Sequence, residues 1–129
     1  MFESLDFIYL PSRDVAGELR HLVDALGAEV VFAIEAFGTR VAMLKLTEEP
    51  PPLLLAGHLE GDRPVLVYRV SDLERTLCEG EERGMEVLAR FGIPHGPGAE
   101  LRLPGPQRIA IYELTRPHAS ERLVGRREF

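Results

Sequence analysis

Two stretches of this chain carry the same pattern: an apolar run that ends in a helix-start signal built on serine and aspartate. They are Phe7-Ile8-Tyr9-Leu10-Pro11-Ser12-Arg13-Asp14 and Val65-Leu66-Val67-Tyr68-Arg69-Val70-Ser71-Asp72. The copies agree again at Gly27-Ala28-Glu29-Val30 and Gly84-Met85-Glu86-Val87. The spacing between copies is one residue longer at the Asp pair than at the Gly pair, so one residue is gained or lost within the helix. A 129-residue chain that repeats itself at about half its length is two copies of one unit, each with an apolar face for the other to cover. At 45% hydrophobic, the chain has enough material for one shared core.

In the first copy, residues 5–10 read as a strand that Pro11 stops. Asp14 stands at an N-cap, and Val15, Leu19, Leu22, Val23 and Leu26 recur at helical spacing until Gly27, a C-cap residue. Residues 29–35 are rich in β-branched and aromatic side chains, hence a strand. Phe37-Gly38-Thr39 makes a turn and residues 40–46 a return strand. Consecutive prolines in residues 47–52 lack ladder donors and exclude a central strand. Residues 53–56 then form a short buried strand.

The polar joint 57–63 is too short to separate independent domains. Residues 65–70 open the second copy. Ser71-Asp72-Leu73-Glu74 has the form of a capping box, with Ser71 at the N-cap and Glu74 three residues later. The helix runs towards Arg83 and Gly84 closes it. Residues 86–91 are a strand, 92–98 a rigid Pro/Gly loop carrying His95, and 100–103 a short strand. Pro104-Gly105-Pro106 turns the chain into a last strand, 108–114. The Arg-rich tail beyond is expected to fray or to lie on a partner subunit. The expectation is a single domain over residues 1–117, with repeat units 1–58 and 64–117 and a charged tail 118–129.

A net charge of -6 and a pI near 5.2 argue against nucleic-acid and anionic-membrane partners. The single Cys78 excludes an intrachain disulfide and a Cys-rich zinc site and fits a reducing cytoplasm. On its helix it reads as a small buried hydrophobe rather than a nucleophile. No segment is long enough to span a membrane and no signal-peptide pattern opens the chain. Lys45 is the only lysine, so nearly all basic groups are guanidiniums.

Two βαβββ units in this length resemble the vicinal oxygen chelate superfamily of glyoxalase I, bleomycin-resistance proteins and extradiol dioxygenases. The residues that carry the resemblance are Tyr68-Arg69-Val70-Ser71-Asp72-Leu73, similar to that family's strand-to-helix junction, and Leu103-Pro104-Gly105-Pro106-Gln107-Arg108-Ile109-Ala110-Ile111-Tyr112-Glu113, similar to its final hairpin. Leu53-Leu54-Leu55-Ala56-Gly57-His58 resembles the strand that closes the first unit. The resemblance implies an α+β fold: a curved, mainly antiparallel mixed sheet around a concave cleft, with the helices outside. It also implies a homodimer. Metal-using members place ligands at the positions held here by Phe7, Leu54, Val65 and Ala110. None of these side chains offers the N, O or S donor that a divalent metal requires. Of their sequence neighbours only Asp6 could ligate, and one carboxylate is not a site. No metal and no cofactor are therefore expected.

Alternate residues of a strand share a face. If Phe7, Leu54, Val65 and Ala110 face the cleft, so do Tyr9, Ala56, His58, Val67, Arg69, Arg108 and Tyr112. That is an apolar floor edged by phenols, an imidazole and guanidiniums, the composition of a small-molecule pocket. Arg69 or Arg108 can fork onto a ligand carboxylate or phosphate, or pair instead with Glu113, Glu100 or an interface carboxylate. His95 joins the candidates through its loop. His21 and His118 are given no role. The leading expectation is a metal-independent small-molecule-binding protein with no catalytic residue. The alternative is a lyase, isomerase or dioxygenase-like enzyme. It would use His/Tyr acid-base chemistry or an atypical metal site among His58, His95, Glu100 and Glu113. A third reading is a structural dimer whose cleft is filled by side chains.

Overall fold

The computed structural model describes residues 1–36 and 38–129. The first unit consists of β1 (Ser4–Pro11), α1 (Val15–Leu26), β2 (Glu29–Ala36), β3 (Thr39–Lys45) and β4 (Leu53–Ala56). The second consists of β5 (Val65–Val70), α2 (Leu73–Glu81), β6 (Val87–Ile93), β7 (Gly96–Leu101) and β8 (Arg108–Glu113). They join in one eight-stranded sheet of order β2-β3-β4-β1-β5-β8-β7-β6. Within each unit the first and last strands are parallel, β1 with β4 and β5 with β8, and the other pairings are antiparallel. A parallel pair cannot be closed by a tight turn and needs a crossover. In each unit that crossover includes the helix, which lies on the outside of the curved sheet.

Strand alternation sorts the apolar residues onto two faces. Val65 and Val67 of β5, with Ala110 and Tyr112 of β8, join Phe7, Phe32, Ile34, Met43 and Leu54 in the cluster on the inner face. Val70 and Ile111 point the other way and pack under Leu73 and Leu77 of α2. Ala33, Ala42, Leu44 and Leu55 do the same under Val15 and Leu19 of α1. The expected α+β architecture, with helices outside a concave sheet, is the one observed.

Both helices begin alike. Asp14 accepts a hydrogen bond from the Gly17 amide and Asp72 one from the Arg75 amide, each at 3.0 Å. The N-cap of α2 is thus Asp72 and not Ser71. The predicted box fails because Glu74 does not reach back to the cap; its carboxylate goes to Arg90. Gly27 ends α1 in the left-handed conformation at φ 68°, with its amide on the Val23 carbonyl. Helix α2 stops at Glu81, short of Arg83, and the chain turns back where Met85 N–H donates to the Gly80 carbonyl. Cys78 is exposed on α2 and is not the buried residue expected.

Three further expectations are corrected. Residues 92–98 are not a loop: β6 runs through Ile93, β7 starts at Gly96, and only Pro94-His95 is left as the turn. Pro97 is tolerated because it sits opposite Gly92 near the hairpin end. Strand β7 consequently ends at Leu101 rather than Leu103. Pro11 does not stop β1 but is its last residue, opposite Ala56. The tail does not fray. Through a 3-10 turn at Ala119–Arg122 it returns to the first unit, where Arg127 forms a parallel bridge with Ala33 of the edge strand β2. In the predicted turn at 37–39, Phe37 lies outside the described residues.

Gly96 is where the backbone leaves least room. Its φ is 157°, and a Cβ there would lie 1.9 Å from the Glu113 carbonyl oxygen. Gly96→Ala must push β7 off β8 or break the turn. It should destabilise the protein by roughly 2–4 kcal/mol, the range of severe backbone lesions. Urea denaturation checks this: a midpoint within error of wild type would show that the hairpin absorbs a side chain freely.

Candidate functional site

The inner face of the sheet is a floor of close-packed apolar side chains. Phe7, Leu54, Val65, Val67, Ala110 and Tyr112 are each 7% exposed or less. Over this floor lie two adjoining cavities that share Tyr9, His58, Gly92 and Ile93. The larger, of about 490 Å³, stands over the first unit, against Phe32, Ile34, Val41, Met43 and Leu54. The turn at Pro94-His95 and Leu123 of the tail complete it. The smaller, of about 320 Å³, stands over the second unit, against Val65, Val67, Phe91 and Ala110, and Leu59, Glu60, Glu100 and Arg108 edge it. Both lie in the size range of sites for drug-sized molecules. A third hollow of about 510 Å³ lies outside the cleft, at the start of α1, where Arg40 and Glu35 pair with each other.

Of the residues expected from alternation, Tyr9, Leu54, His58, Val65, Val67, Arg108, Ala110 and also His95 line one lobe or both. Phe7, Ala56, Arg69 and Tyr112 line neither. Phe7 packs in the inner-face cluster, and Arg69 and Tyr112 belong to a polar knot centred on Asp6, which a β-bulge between Leu5 and Phe7 frees from the regular alternation. Its carboxylate accepts from the Ser4 hydroxyl at 2.6 Å and from the Tyr112 hydroxyl. Arg69 Nε lies 3.5 Å away, close enough for charge attraction but not aligned as a hydrogen bond. Burial first, and then the bond to Asp6, push the Tyr112 phenol well above its ordinary pKa, so it stays a donor.

The guanidinium of Arg108 is also committed. Nε and Nη2 donate to the two carboxylate oxygens of Glu100 at 3.3 and 3.2 Å, and Nη1 donates to the carbonyls of Glu60 and Arg63 at 2.7 and 3.3 Å. Of the two readings offered by the sequence, this geometry is that of the internal pair. It pins the joint 57–63 against the second unit.

His95 tilts over Phe7, with ring centroids 5.0 Å apart, and its Nδ1 is buried without a partner. Burial pulls its pKa below the ordinary imidazole value, against the attraction of Asp6 and with the help of Arg116. The imidazole is therefore neutral at pH 7. Tyr9, between the lobes, is pushed up to about 12 by burial and remains a phenol. Tyr9 and His95 thus offer neutral hydrogen-bonding groups on largely apolar walls, and the charged Arg108 and Glu100 at the edge of the smaller lobe are paired with each other.

Phe7, Leu54, Val65 and Ala110, the positions where the resemblance would put metal ligands, lie together in the inner-face cluster, and none of these four side chains carries a donor atom for a metal. Nor do His58, His95, Glu100 and Glu113 gather. Glu100 is bound to Arg108, and Glu113 accepts from the Leu73 amide at 2.8 Å at the start of α2. Among the described residues, no group of three or more His, Cys, Asp or Glu is placed to hold a metal ion.

The walls contributed by β2 and β3 were legible but unused: Phe32, Ile34, Val41 and Met43 alternate as regularly as the residues of β1 and β5. Nothing in the sequence pointed to Asp6 as a centre, because the bulge that frees it is invisible in an apolar run. Leu123 carried no signal either, since its place depends on where the tail docks.

No family model matches the chain, and no curated protein sequence matches it. Solved structures do match. The hypothetical protein BH1468 from Bacillus halodurans C-125 is similar with a TM-score of 0.68 at 17% identity, over 85% of this chain and 93% of that one. Methylmalonyl-CoA epimerase from Mycobacterium tuberculosis is similar with a TM-score of 0.65 at 20% identity, over 92% and 93% of the two chains. A Streptomyces coelicolor methylmalonyl-CoA epimerase variant in complex with 2-nitronate-propionyl-CoA is similar with a TM-score of 0.67 at 16% identity, over 90% and 97%. These likenesses extend along nearly the whole chain, and they show that its fold is that of the vicinal oxygen chelate proteins.

Proposed function

We propose that this chain is a small-molecule-binding protein that holds a neutral, largely apolar ligand in the two-lobed cleft, without a metal at the fold's usual ligand positions. The observation that carries the reading is the pair of adjoining lobes of about 490 and 320 Å³, whose walls are mainly aliphatic and aromatic. Space of this kind at the centre of a fold costs packing energy, and a bound apolar molecule recovers it. Tyr9 and His58 border both lobes and are placed to orient a ligand that spans them. An acidic ligand is less well served. Arg108 is engaged by Glu100 and two carbonyls, and Arg69 lies between Asp6 and Glu3. A carboxylated acyl-CoA compound, of the kind bound by the similar epimerases, would have to break these pairs.

The second reading is an enzyme without the usual metal, and the position of Tyr9 and His58 on both lobes favours it. A general base works best with a pKa near the working pH. Tyr9, near 12, is far from that at neutrality. His95, being neutral, could accept a proton, but its Nδ1 is buried and has no partner to orient the ring. Binding therefore stands ahead of catalysis. A homodimer belongs to the same reading: β6 is an unpaired edge, Leu88 on it is 46% exposed, and a second copy would cover both. Sedimentation velocity should give a mass near twice 14.4 kDa; a monomer at all concentrations removes the dimer from the proposal.

The neutral fluorescent probe N-phenyl-1-naphthylamine tests the cleft. Wild type should bind it with micromolar affinity. Leu54→Trp, which fills the larger lobe from its floor, should weaken binding by about tenfold or more, equivalent to ~1.4 kcal/mol. No binding of neutral probes by wild type, together with binding of an acyl-CoA, would move the assignment to the second reading.

The charge state of His95 gives a separate check. Its folded-state pKa lies below the value near 6.5 of an unfolded chain. As pH falls through about 6.5 the unfolded chain takes up the proton first. The stabilisation from neutral His95 should be complete above that pH and should decline down to the lower folded-state value. Urea denaturation at several pH values, wild type against His95→Gln, isolates this contribution. Parallel curves for the two proteins would mean that the ring is freely solvated.

A further inference from the structure

We infer that the segment after β8 is the closing wall of the larger lobe, and that Leu123 sets the length of the apolar limb that the lobe admits. This rests on the reading of the cleft as a binding site and adds to it a specificity-determining residue. The segment is fastened at both ends to opposite sides of the cleft. At its start, the amides of Thr115 and Arg116 both donate to the His95 carbonyl, at 3.0 and 2.9 Å. The Arg116 side chain donates to the Pro94 and Ile93 carbonyls at 2.6 and 2.9 Å, so the strap is tied to the β6–β7 turn. At its far end it is tied to β2: Gly125 N–H donates to the Val31 carbonyl, Ala33 N–H to the Arg126 carbonyl and Glu128 N–H to the Ala33 carbonyl, all within 2.8 Å. Arg40 lies over the Phe129 ring at 4.9 Å.

Between these anchors the 3-10 turn at Ala119–Arg122 brings Leu123 to the lobe. Its side chain packs against the inner-face cluster and is only partly buried, with open cavity beside it. A side chain so held does not support the fold from within. It ends a space, and its volume is taken directly from what a ligand can occupy. The ligand class this end wall discriminates is a neutral molecule with an unbranched apolar limb. Each additional methylene buried in the lobe should raise affinity about fourfold until the limb meets Leu123.

Straight-chain 1-alkanols of increasing length, displacing N-phenyl-1-naphthylamine from the full chain, read this directly. For wild type the gain per methylene should stop at a definite chain length. Leu123→Ala should carry the gain on for about two further methylenes, and Leu123→Phe should end it about one earlier, by the volumes removed and added. Opposite shifts in the two variants support the wall, and the Phe variant still decides if the Ala variant loosens the strap. An unchanged cut-off in both overturns the role of Leu123 while leaving the cleft as the binding site. Failure of wild type to bind the dye or any alkanol overturns the reading of the cleft, and this inference with it.

Discussion

The antiparallel pairing of β1 with β5 is the contact on which the rest of the molecule depends. Each strand is the first of its unit and already has a parallel partner from the same unit, β4 or β8. Their pairing therefore joins two four-stranded halves into one sheet whose middle is the seam between repeats. The register matters as much as the pairing. With Phe7 opposite Val67 and Tyr9 opposite Val65, the apolar residues of both strands point to the same side. A slip of one residue would turn one set outwards. Tyr9, Val65 and Val67 of the cleft owe their direction to that alignment.

The seam is also locked by charge. Asp6 and Ser4 come from β1, Arg69 from β5 and Tyr112 from β8, so the Asp6 knot links the units through side chains as well as backbone. The bulge makes this possible, since regular alternation would not bring Asp6 and Phe7 together beside Tyr112. Half-buried groups of this kind are worth little net when complete and cost much when one partner is removed. The knot thus acts on specificity of register more than on stability. It also explains why Arg69 and Tyr112, on the expected face, are not presented to the cleft.

What was legible in the sequence follows the range of the interactions. The duplication, the strand alternation and the Asp14 cap depend on residues near in sequence, and they foretold the fold and most of the floor. Misreadings arose where distant contacts decide. Ser71 and Asp72 are both good caps, and only the turn of Glu74 towards Arg90 separates them. The stretch 92–98 has the composition of a loop, but β7 pairs with β8 from Gly98 onward and holds it in a hairpin. Arg108 was legible as a cleft residue, and its pairing with Glu100 was one of two readings; that the Glu60 and Arg63 carbonyls would take its remaining donors was not legible. The tail was the least legible, because its partners are backbone groups of β2, which carry no side-chain signature.

The duplication has a last consequence for the cleft. Residues 57–63 follow the first unit, yet Leu59 and Glu60 edge the lobe that stands over the second. The segment from Thr115 follows the second unit, yet Leu123 edges the lobe over the first. Each repeat thus leaves its last strand and closes the other's cavity. The reason lies in the sheet: β4 and β8 flank the central pair, so a chain leaving either strand emerges beside the opposite lobe as readily as its own. The first closure is held by one guanidinium, the second by backbone hydrogen bonds along an edge strand. A pseudo-symmetric fold can in this way carry two unequal lobes, because the segments outside the repeat, and not the repeat itself, set where each cavity ends.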